Sequence, residues 1–283
     1  MDYQNQIVDA HFHLWNPERL QYNWLENFPS IQRTYTINEY WKEIPDTTIE
    51  KLVFIQCECR PEQYLQEIEL VNEIAKTDSR IQGIVCWFPL EESNVSFKLT
   101  ELQQHKLVCG IRRLEESPLS LYTNPQFITN LRSLPKYNFS FDLCVKPNQL
   151  AQVVNLVQKC PETSFVLDHL GKPNTPATEI TEWKKNIKSL SQCPLVYAKL
   201  SGLVPEAEGK IWTSTESQDY FNYALDSFGA DRLIFGSDWP VVNLSSSFQQ
   251  WLDVLMDWCQ GLSEDELSKI FRKNAIRFYG LNE

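Results

Sequence analysis

Eight short apolar runs, each followed by a longer segment with helical spacing, constrain the fold of this 283-residue chain more than any other feature. Most runs are almost continuously apolar, which is typical of parallel strands covered by helices. The predicted strands span residues 7–14, 52–58, 81–88, 108–114, 139–145, 164–170, 196–202 and 233–239. Alternation of eight strands with helices predicts a single-domain (β/α)8 TIM barrel, an α/β fold, over residues 1–283.

The segments between these runs are predicted to be helices. They span residues 62–77, 93–104, 125–134, 148–159, 179–191, 217–228 and 247–260, with a final helix ending at Tyr279. Asn148 and Ser217 are candidate N-caps, and Ser263 with Glu266 forms a capping-box pattern before the final helix. The exception is the segment 16–48, which is too long for an ordinary connection and rich in aromatic residues, so it is predicted to cap the barrel mouth.

Composition excludes several classes of function. Hydrophobic residues make up 42% of the chain and the net charge is -11, without a cluster of Lys and Arg, so nucleic acid is not an expected partner. The chain has no run of 18 apolar residues and no secretory signal pattern, which predicts a cytoplasmic protein without a membrane partner. The eight Cys show no CxxC pair, as expected for reduced thiols.

Reactive side chains fall at the ends of the predicted strands, where barrel enzymes assemble their active sites. The first run ends in His11-Phe12-His13, and strand alternation directs both imidazoles to one face. The sixth run ends at His169 and the eighth near Asp238. Imidazoles and a carboxylate in one cup either hold a divalent metal or perform acid–base chemistry on a carbonyl compound. The fourth His, His105, ends a polar helix and is expected to be solvated.

Five ordered motifs resemble those of the amidohydrolase superfamily, and within it the sugar-lactone hydrolases that include the L-fuconolactonases. They are Val8-Asp9-Ala10-His11-Phe12-His13-Leu14-Trp15, Gly110-Ile111-Arg112-Arg113-Leu114, Phe165-Val166-Leu167-Asp168-His169-Leu170-Gly171-Lys172-Pro173, Lys199-Leu200-Ser201-Gly202-Leu203 and Phe235-Gly236-Ser237-Asp238-Trp239-Pro240. The similarity extends from residue 7 to the close at Arg277-Phe278-Tyr279-Gly280. The resemblance implies a hydrolase of carbohydrate metabolism that opens a small aldono-type lactone.

The chain departs from the superfamily members that bind two metals. Those members carry a bridging Lys on strand four and a His on strand five, where this chain has Arg112, Arg113 and Asp142. The resemblance therefore implies at most one divalent metal such as zinc, whose ligands would be His11, His13, His169 and Asp238. Relatives with this reduced set can act without a metal, and hydrolysis that requires no cofactor is the expectation.

The resemblance also implies roles for the site residues. Asp238 is expected to accept a proton from water as it attacks the lactone carbonyl, while His169 and His11 or His13, or a metal that they hold, stabilise the oxyanion. No Gly-x-Ser-x-Gly elbow is present for a covalent route.

Several other side chains are candidate substrate-binding groups. Arg112 is expected to bind a carboxylate or hydroxyl groups, with a buried salt bridge to Asp142 or Glu58 as the alternative. Further strand-end candidates are Gln56, Trp87, Lys199 and Ser201, each of which could instead be a structural support. Tyr22, Trp24 and Glu206 lie on loops over the same face, where aromatic rings would stack on a sugar.

Two other functions stay open from the sequence. A single-metal decarboxylase of an aromatic or unsaturated acid would use much the same His and Asp residues. A barrel that binds a small molecule without catalysis would be expected to have damaged strand ends, and these are intact. The identity of the sugar and the oligomeric state do not follow from the sequence.

Overall fold

The strands follow one another round a single sheet, each paired in parallel with the next. The computed structural model describes residues 6–44, 49–114, 120–173, 177–203 and 214–283. The strands are β1 Ile7–Phe12, β2 Ile49–Ile55, β3 Ile81–Cys86, β4 Val108–Leu114, β5 Ser140–Cys144, β6 Phe165–Leu167, β7 Val196–Leu200 and β8 Leu233–Phe235. The prediction of a (β/α)8 TIM barrel is confirmed.

Contacts just beyond β8 join the last strand to the first. Phe12 forms a parallel bridge with Trp239. The Asp238 N–H donates to the His11 carbonyl at 2.8 Å, and the His13 N–H donates to the Trp239 carbonyl at 2.8 Å. The backbone that carries the candidate catalytic residues therefore also closes the barrel.

The helices occupy the predicted connections. Those in the described ranges are α1 Ile37–Glu43, α2 Tyr64–Ala75, α3 Ser96–Leu102, α4 Ser120–Thr123, α5 Pro125–Leu131, α6 Leu150–Lys159, α7 Ala177–Ser191, α8 Ser214–Phe228, α9 Phe248–Trp258, α10 Glu264–Ser268 and α11 Asn274–Tyr279. Helix α1 was not predicted, although the Thr36–Glu39 capping box that opens it was visible in the sequence. None of the described helices combines the length and the apolar character that crossing a lipid bilayer requires.

The predicted caps had different outcomes. The capping box of Ser263 and Glu266 is confirmed at the start of α10, where each residue bonds to the other's backbone N–H. Asn148 was wrong as a cap, because a 3-10 turn precedes α6 and Gln149 accepts the Lys146 N–H at 2.7 Å. The predicted N-cap at Ser217 was also wrong, because α8 already begins at Ser214.

The strands that carry His169 and Asp238 are shorter than predicted. β6 ends at Leu167 and β8 ends at Phe235, three and four residues before the predicted ends. After β6, His169 and Leu170 have left-handed φ values of 55° and 50°, which cannot continue a strand. Apolar periodicity predicts where a strand runs but not where the backbone leaves the ladder to aim a side chain.

An irregularity in β1 aims His11 into the barrel. Val8 and Ala10 belong to the apolar cluster inside the barrel, whereas Asp9 bonds to Tyr40 of α1 on the outside. Strict alternation would place His11 outside with Asp9. Between Asp9 and Phe12, however, β1 has one more residue than β2, and such a bulge reverses the facing of the residues that follow.

The segment after β1 packs over the ends of the first and last strands. The rings of Tyr35 and Tyr40 contact the Trp239 ring with centroid distances of 5.4 and 5.2 Å. The Trp24 indole N–H donates to the Cys57 carbonyl, just beyond β2, at 2.7 Å. Residues 16–44 of the predicted cap therefore lie beside the barrel mouth, and residues 45–48 lie outside the described ranges.

We predict that Asp9→Ala destabilises the fold, because the Asp9 carboxylate joins β1 to the end of β8 and to α1. It accepts the Ser237 N–H at 2.8 Å, the Ser237 hydroxyl at 2.5 Å and the Tyr40 hydroxyl at 2.8 Å, all buried. Removing the acceptor leaves these donors unpaired, which should lower the free energy of unfolding by about 3 kcal/mol. Urea denaturation measures the change, and Asp9→Asn should recover part of it. An alanine variant as stable as the wild type would contradict the prediction.

Candidate active site

Three imidazoles surround the Asp238 carboxylate at the carboxyl end of the barrel. Asp238 Oδ1 lies 3.3 Å from His13 Nε2 and 3.5 Å from His11 Nε2. The rings of His11 and His169 lie 4.6 Å apart between centroids. The four residues are between 0% and 4% exposed, so they form one group shielded from bulk water. The structure thus brings together the four residues that the sequence singled out from three different strand ends.

The backbone at this group is held in sparsely populated conformations. Asp238, His169 and Glu58 have left-handed φ values of 61°, 55° and 52°, although none is a glycine. Each such residue costs on the order of 1–3 kcal/mol and persists only where surrounding contacts enforce it. Because each follows the end of a strand, the strain turns these side chains over the barrel mouth.

Two motif glycines leave room for the imidazoles. A Cβ at Gly236 would lie 2.5 Å from His11 Cβ, and a Cβ at Gly202 would lie 2.3 Å from His169 Nδ1. Gly202 also has a φ of 54°, which disfavours a side chain. The Ser201 hydroxyl lies 2.9 Å from His169 Nδ1 and fixes that ring from the same loop. Ser201 therefore supports His169 from behind, at 0% exposure.

A buried ion cluster lies beneath the imidazoles. The Lys199 ammonium on β7 donates to Asp142 of β5 at 2.6 Å and lies 3.0 Å from Asp168, which follows β6. The same ammonium lies 3.1 Å from His11 Nδ1, and the Tyr279 hydroxyl of α11 donates to Asp142 at 2.8 Å. Burial alone would lower the pKa of Lys199, but the two carboxylates outweigh it and raise the pKa, so the ammonium stays charged.

Burial and charge oppose one another at Asp238. Burial raises the pKa of this carboxyl, whereas His169, His13 and His11 lower it, and the net pKa lies below the usual range. Asp238 is therefore ionised at neutral pH. Burial lowers the pKa of His11 and of His13, which keeps both imidazoles neutral there.

The hydrogen bond of His13 bears on whether a cation fits this group. Its Nδ1 lies 2.8 Å from the Ile55 carbonyl, which can only accept, so Nδ1 carries the proton. In neutral His13 the Nε2 lone pair then faces the Asp238 carboxylate at 3.3 Å. Two acceptors at this distance favour a proton or a cation close to both.

The donor set also fits a single divalent metal. One ligand atom each of His11, His169 and Asp238 lies within 4.8 Å of the others, and all three residues are buried. Imidazole nitrogen and carboxylate oxygen are ligands that zinc takes. Ligand atoms of Cys144, Asp168 and His169 also lie within 4.8 Å of one another. Asp168, however, already pairs with Lys199, so the first set fits better.

Arg112 reaches this group from β4. Its Nη2 donates to the Gln56 carbonyl at 2.5 Å, and its Nη1 lies 3.4 Å from Asp168 and 3.5 Å from His11 Nε2. The alternative of a buried salt bridge is met by Asp168 rather than by Asp142, which pairs with Lys199. Arg112 is only 5% exposed, and its Nε atom is buried without a hydrogen-bond partner in the described ranges. Arg112 thus lines the cavity as a cation whose Nη atoms contact Gln56, Asp168 and His11.

A cavity of about 530 Å³ opens above these residues. Five of the predicted residues line it: His13, Trp24, Arg112, His169 and Asp238. The residues that line it without having been predicted as site residues include Phe28, Cys57, Glu58, Arg60, Cys144, Lys146 and Lys172. They come from strand ends and loops that converge only in the closed barrel.

The remaining candidates do not line the cavity. Gln56 and Lys199 are 0% exposed and contact Arg112 and His11 from below. Trp87 instead packs between Tyr64, at 5.5 Å between ring centroids, and the Arg113 guanidinium, at 4.4 Å. Its position just beyond β3 does not bring it to the cavity. Tyr22 is buried in the core at 5% exposure, and Glu206 lies outside the described residues.

The amidohydrolase family pattern matches residues 8–281. The chain is therefore an α/β-barrel protein with a strand-end His–Asp site, and it belongs to the amidohydrolase family.

Several curated relatives are named as lactonases. The chain is 26% identical to L-fucono-1,5-lactonase of Burkholderia multivorans, with 98% of this chain and 96% of that protein covered. It is 25% identical to L-rhamnono-gamma-lactonase of Scheffersomyces stipitis, with 98% and 99% covered. A zinc-bound crystal structure of a Burkholderia multivorans amidohydrolase matches with a TM-score of 0.87 at 26% identity, covering 98% and 100% of the two chains.

We predict that Lys199→Met strongly destabilises the protein, because it leaves Asp142 and Asp168 buried without their cation. The expected loss in the free energy of unfolding is about 4 kcal/mol. Lys269→Met, which removes a partly exposed ammonium paired with Asp231 and Asp265, is the matched control and should cost much less stability, because solvent screens this pair. Chemical denaturation of both variants is the measurement, and equal losses would refute the prediction.

A second prediction concerns Glu67 of α2, which lies behind the loop after β2. Glu67 is 1% exposed and accepts the Cys57 N–H at 3.1 Å, and burial raises its pKa from 4.5 to about 8. The folded state then binds a proton that the unfolded state releases. This contribution to stability is present below pH 4.5 and is lost as the pH rises to about 8.

Glu67→Gln keeps the acceptor oxygen and removes the titration. Between pH 4.5 and 8 the stability of the wild type should fall relative to the variant, by up to about 5 kcal/mol. Urea denaturation across this pH range measures the difference. Parallel stability curves for the two proteins would show that Glu67 does not titrate in the folded state.

Proposed function

We propose that this protein is a hydrolase that opens a small sugar-derived lactone. The observation that carries the proposal is the ionised, buried Asp238, which lies among three imidazoles beside a cavity of about 530 Å³. A carboxylate base beside groups that polarise a carbonyl suits ester hydrolysis by activated water. The lactonase names of the two curated relatives support a sugar lactone as the substrate class.

Water rather than a side chain is the proposed nucleophile. Cys57 lines the cavity, but burial raises the pKa of its thiol well above the ordinary value, and the thiol lies 3.3 Å from the Leu14 carbonyl. A thiol held protonated is a poor nucleophile. The sequence also has no Gly-x-Ser-x-Gly elbow.

Asp238 is proposed to take the proton of the attacking water. The water oxygen bonds to the lactone carbonyl carbon, and the proton passes to an Asp238 oxygen. The C–O bond of the ring then breaks, and the ring oxygen takes the proton and leaves as an alcohol. The product is an open-chain hydroxy acid. General-base assistance of this kind contributes about 10²–10⁴ in rate.

The charge on the carbonyl oxygen needs stabilisation as the bond to water forms. His169 lines the cavity with its Nδ1 fixed by Ser201, and the Arg112 guanidinium lines the cavity as a buried cation. Donors fixed before the reaction stabilise an oxyanion without reorganisation. Trp24 and Phe28, whose rings lie 5.9 Å apart, offer apolar surfaces for the sugar.

A divalent metal would be held by His11, His169 and Asp238, with His13 Nε2 3.3 Å from Asp238 Oδ1. When bound, it would supply a Lewis acid for the lactone carbonyl. Gln56 and Lys199, which contact Arg112 and His11, are proposed to position these residues rather than to bind substrate.

We predict that Asp238→Asn lowers kcat for lactone opening by about 10³-fold, because the amide cannot accept the water proton. Proton release from a panel of aldonolactones measures the rate, with bound metal quantified and a chelator-treated sample run alongside. Asp253→Asn on α9, an exposed carboxylate, is the control and should keep wild-type activity.

Undiminished activity of Asp238→Asn would remove Asp238 from the mechanism. If the wild type opened none of the lactones, the proposed function would fail, and release of carbon dioxide from aromatic acids would be the next assay. Activity that survives chelation would assign carbonyl polarisation to the protein's own side chains. Activity that is lost on chelation and restored by zinc would assign a metal to the His–Asp site.

A further inference from the structure

The charge of the cavity is opposite in sign to that of the whole chain. The chain carries a net charge of -11. The cavity lining contains four cations, Arg60, Arg112, Lys146 and Lys172, but only two carboxylates, those of Glu58 and Asp238. Leaving the imidazoles aside, the lining therefore has two positive charges in excess. A concave site lined by one sign of charge concentrates ions of the opposite sign.

The cations converge through the barrel topology. Arg60 follows β2, Arg112 lies on β4, Lys146 follows β5 and Lys172 follows β6. These strands are distributed over half of the sheet, and their carboxyl ends meet at the cavity. The excess of positive charge is thus a property of the site and not of one basic segment.

Arg60 and Lys146 lie at the rim, and both are exposed. Neither has a carboxylate within ion-pair distance among the residues that the structure describes. Other exposed cations do have one, as Arg19 has Glu73 at 3.2 Å and Lys273 has Asp265 at 2.9 Å. Two unpaired cations at the mouth of a cavity are available to a ligand.

Arg112 lies deeper, next to the catalytic group. Its Nη1 is 3.5 Å from His11 Nε2, and its buried Nε has no partner in the described ranges. This guanidinium lines the same cavity as Asp238, beside which lactone opening would create a carboxylate. The rim cations leave capacity for a second negative group, one that the substrate carries before the reaction.

We propose that the substrate is a lactone that carries a free carboxylate, of the kind derived from an aldaric or uronic acid. This inference rests on the proposed function. The carboxylate lies at the rim, where Arg60 and Lys146 supply positive charge, while the lactone carbonyl lies at Asp238. Arg pairs with a carboxylate through parallel hydrogen bonds, and Lys adds a point charge.

The test compares two lactones that differ only at C6: D-glucono-1,4-lactone carries a hydroxymethyl group there, and D-glucaro-1,4-lactone carries a carboxylate. The variant is Arg60→Gln with Lys146→Gln. The control, Lys76→Gln with Lys159→Gln, makes the same change in net charge at exposed residues outside the cavity lining. We expect the wild type to have a higher kcat/KM for the glucaro-lactone than for the glucono-lactone. In the double variant the ratio of these two kcat/KM values should fall by at least about tenfold, mainly because KM for the glucaro-lactone rises. The control should retain the wild-type ratio, and added salt should lower that ratio in the wild type.

Three results would overturn the inference. The first is a wild type that opens the glucono-lactone as well as or better than the glucaro-lactone. The second is a double variant that loses the same factor on both, since the cations would then serve only the carboxylate product common to both reactions. The third is preference for a 6-phosphorylated gluconolactone, run as a separate arm, which would assign the rim to phosphate. If no lactone were opened, the proposed function itself would fail and this inference with it.

Discussion

The buried ammonium of Lys199 is the interaction on which the rest of the site depends. It contacts Asp142, Asp168 and His11, which belong to or directly follow three other strands, and Tyr279 of the C-terminal helix bonds to the same Asp142. Charges in a barrel interior persist only when they are paired with good geometry. This pairing fixes Asp168, which positions Arg112. The ammonium also contacts His11 Nδ1, while Nε2 of the same ring lies near Asp238.

Above this cluster the backbone stores strain where the chemistry is proposed. Asp238 and His169 take left-handed conformations that a non-glycine residue adopts only when its surroundings enforce them. The enforcing contacts are visible: the Asp238 N–H bonds to the His11 carbonyl, and the Asp9 carboxylate holds Ser237 beside it. The same set of hydrogen bonds therefore closes the barrel between the first and last strands and positions the proposed base.

The cavity shows how an acidic protein can present a positive binding site. The surface carboxylates that give the chain its net charge of -11 are separated by solvent from the site, where they are screened. Cations that line a concave wall act at short range. The net charge of the chain is therefore evidence about nucleic-acid partners, but it does not predict the charge of a small substrate.

The sequence by itself determined the architecture and four of the central residues. Continuous apolar runs alternating with helical spacing specify parallel strands covered by helices, and reactive residues at the ends of such runs must meet at one face of a barrel. This logic identified His11, His13, His169 and Asp238. It could not place Trp87, which packs on Arg113 and Tyr64 away from the cavity, because position just after a strand does not fix side-chain direction.

The tertiary structure alone decided the partners and the facing of these side chains. The bulge in β1 turned His11 inward, against the alternation of its neighbours. Folding brings together strands that are distant in sequence. The ion pair of Lys199 with Asp142 joins residues 57 positions apart in the chain. Arg60 and Lys146 line one cavity for the same reason. Local periodicity carries no information about such contacts, because they depend on the register and closure of the whole sheet.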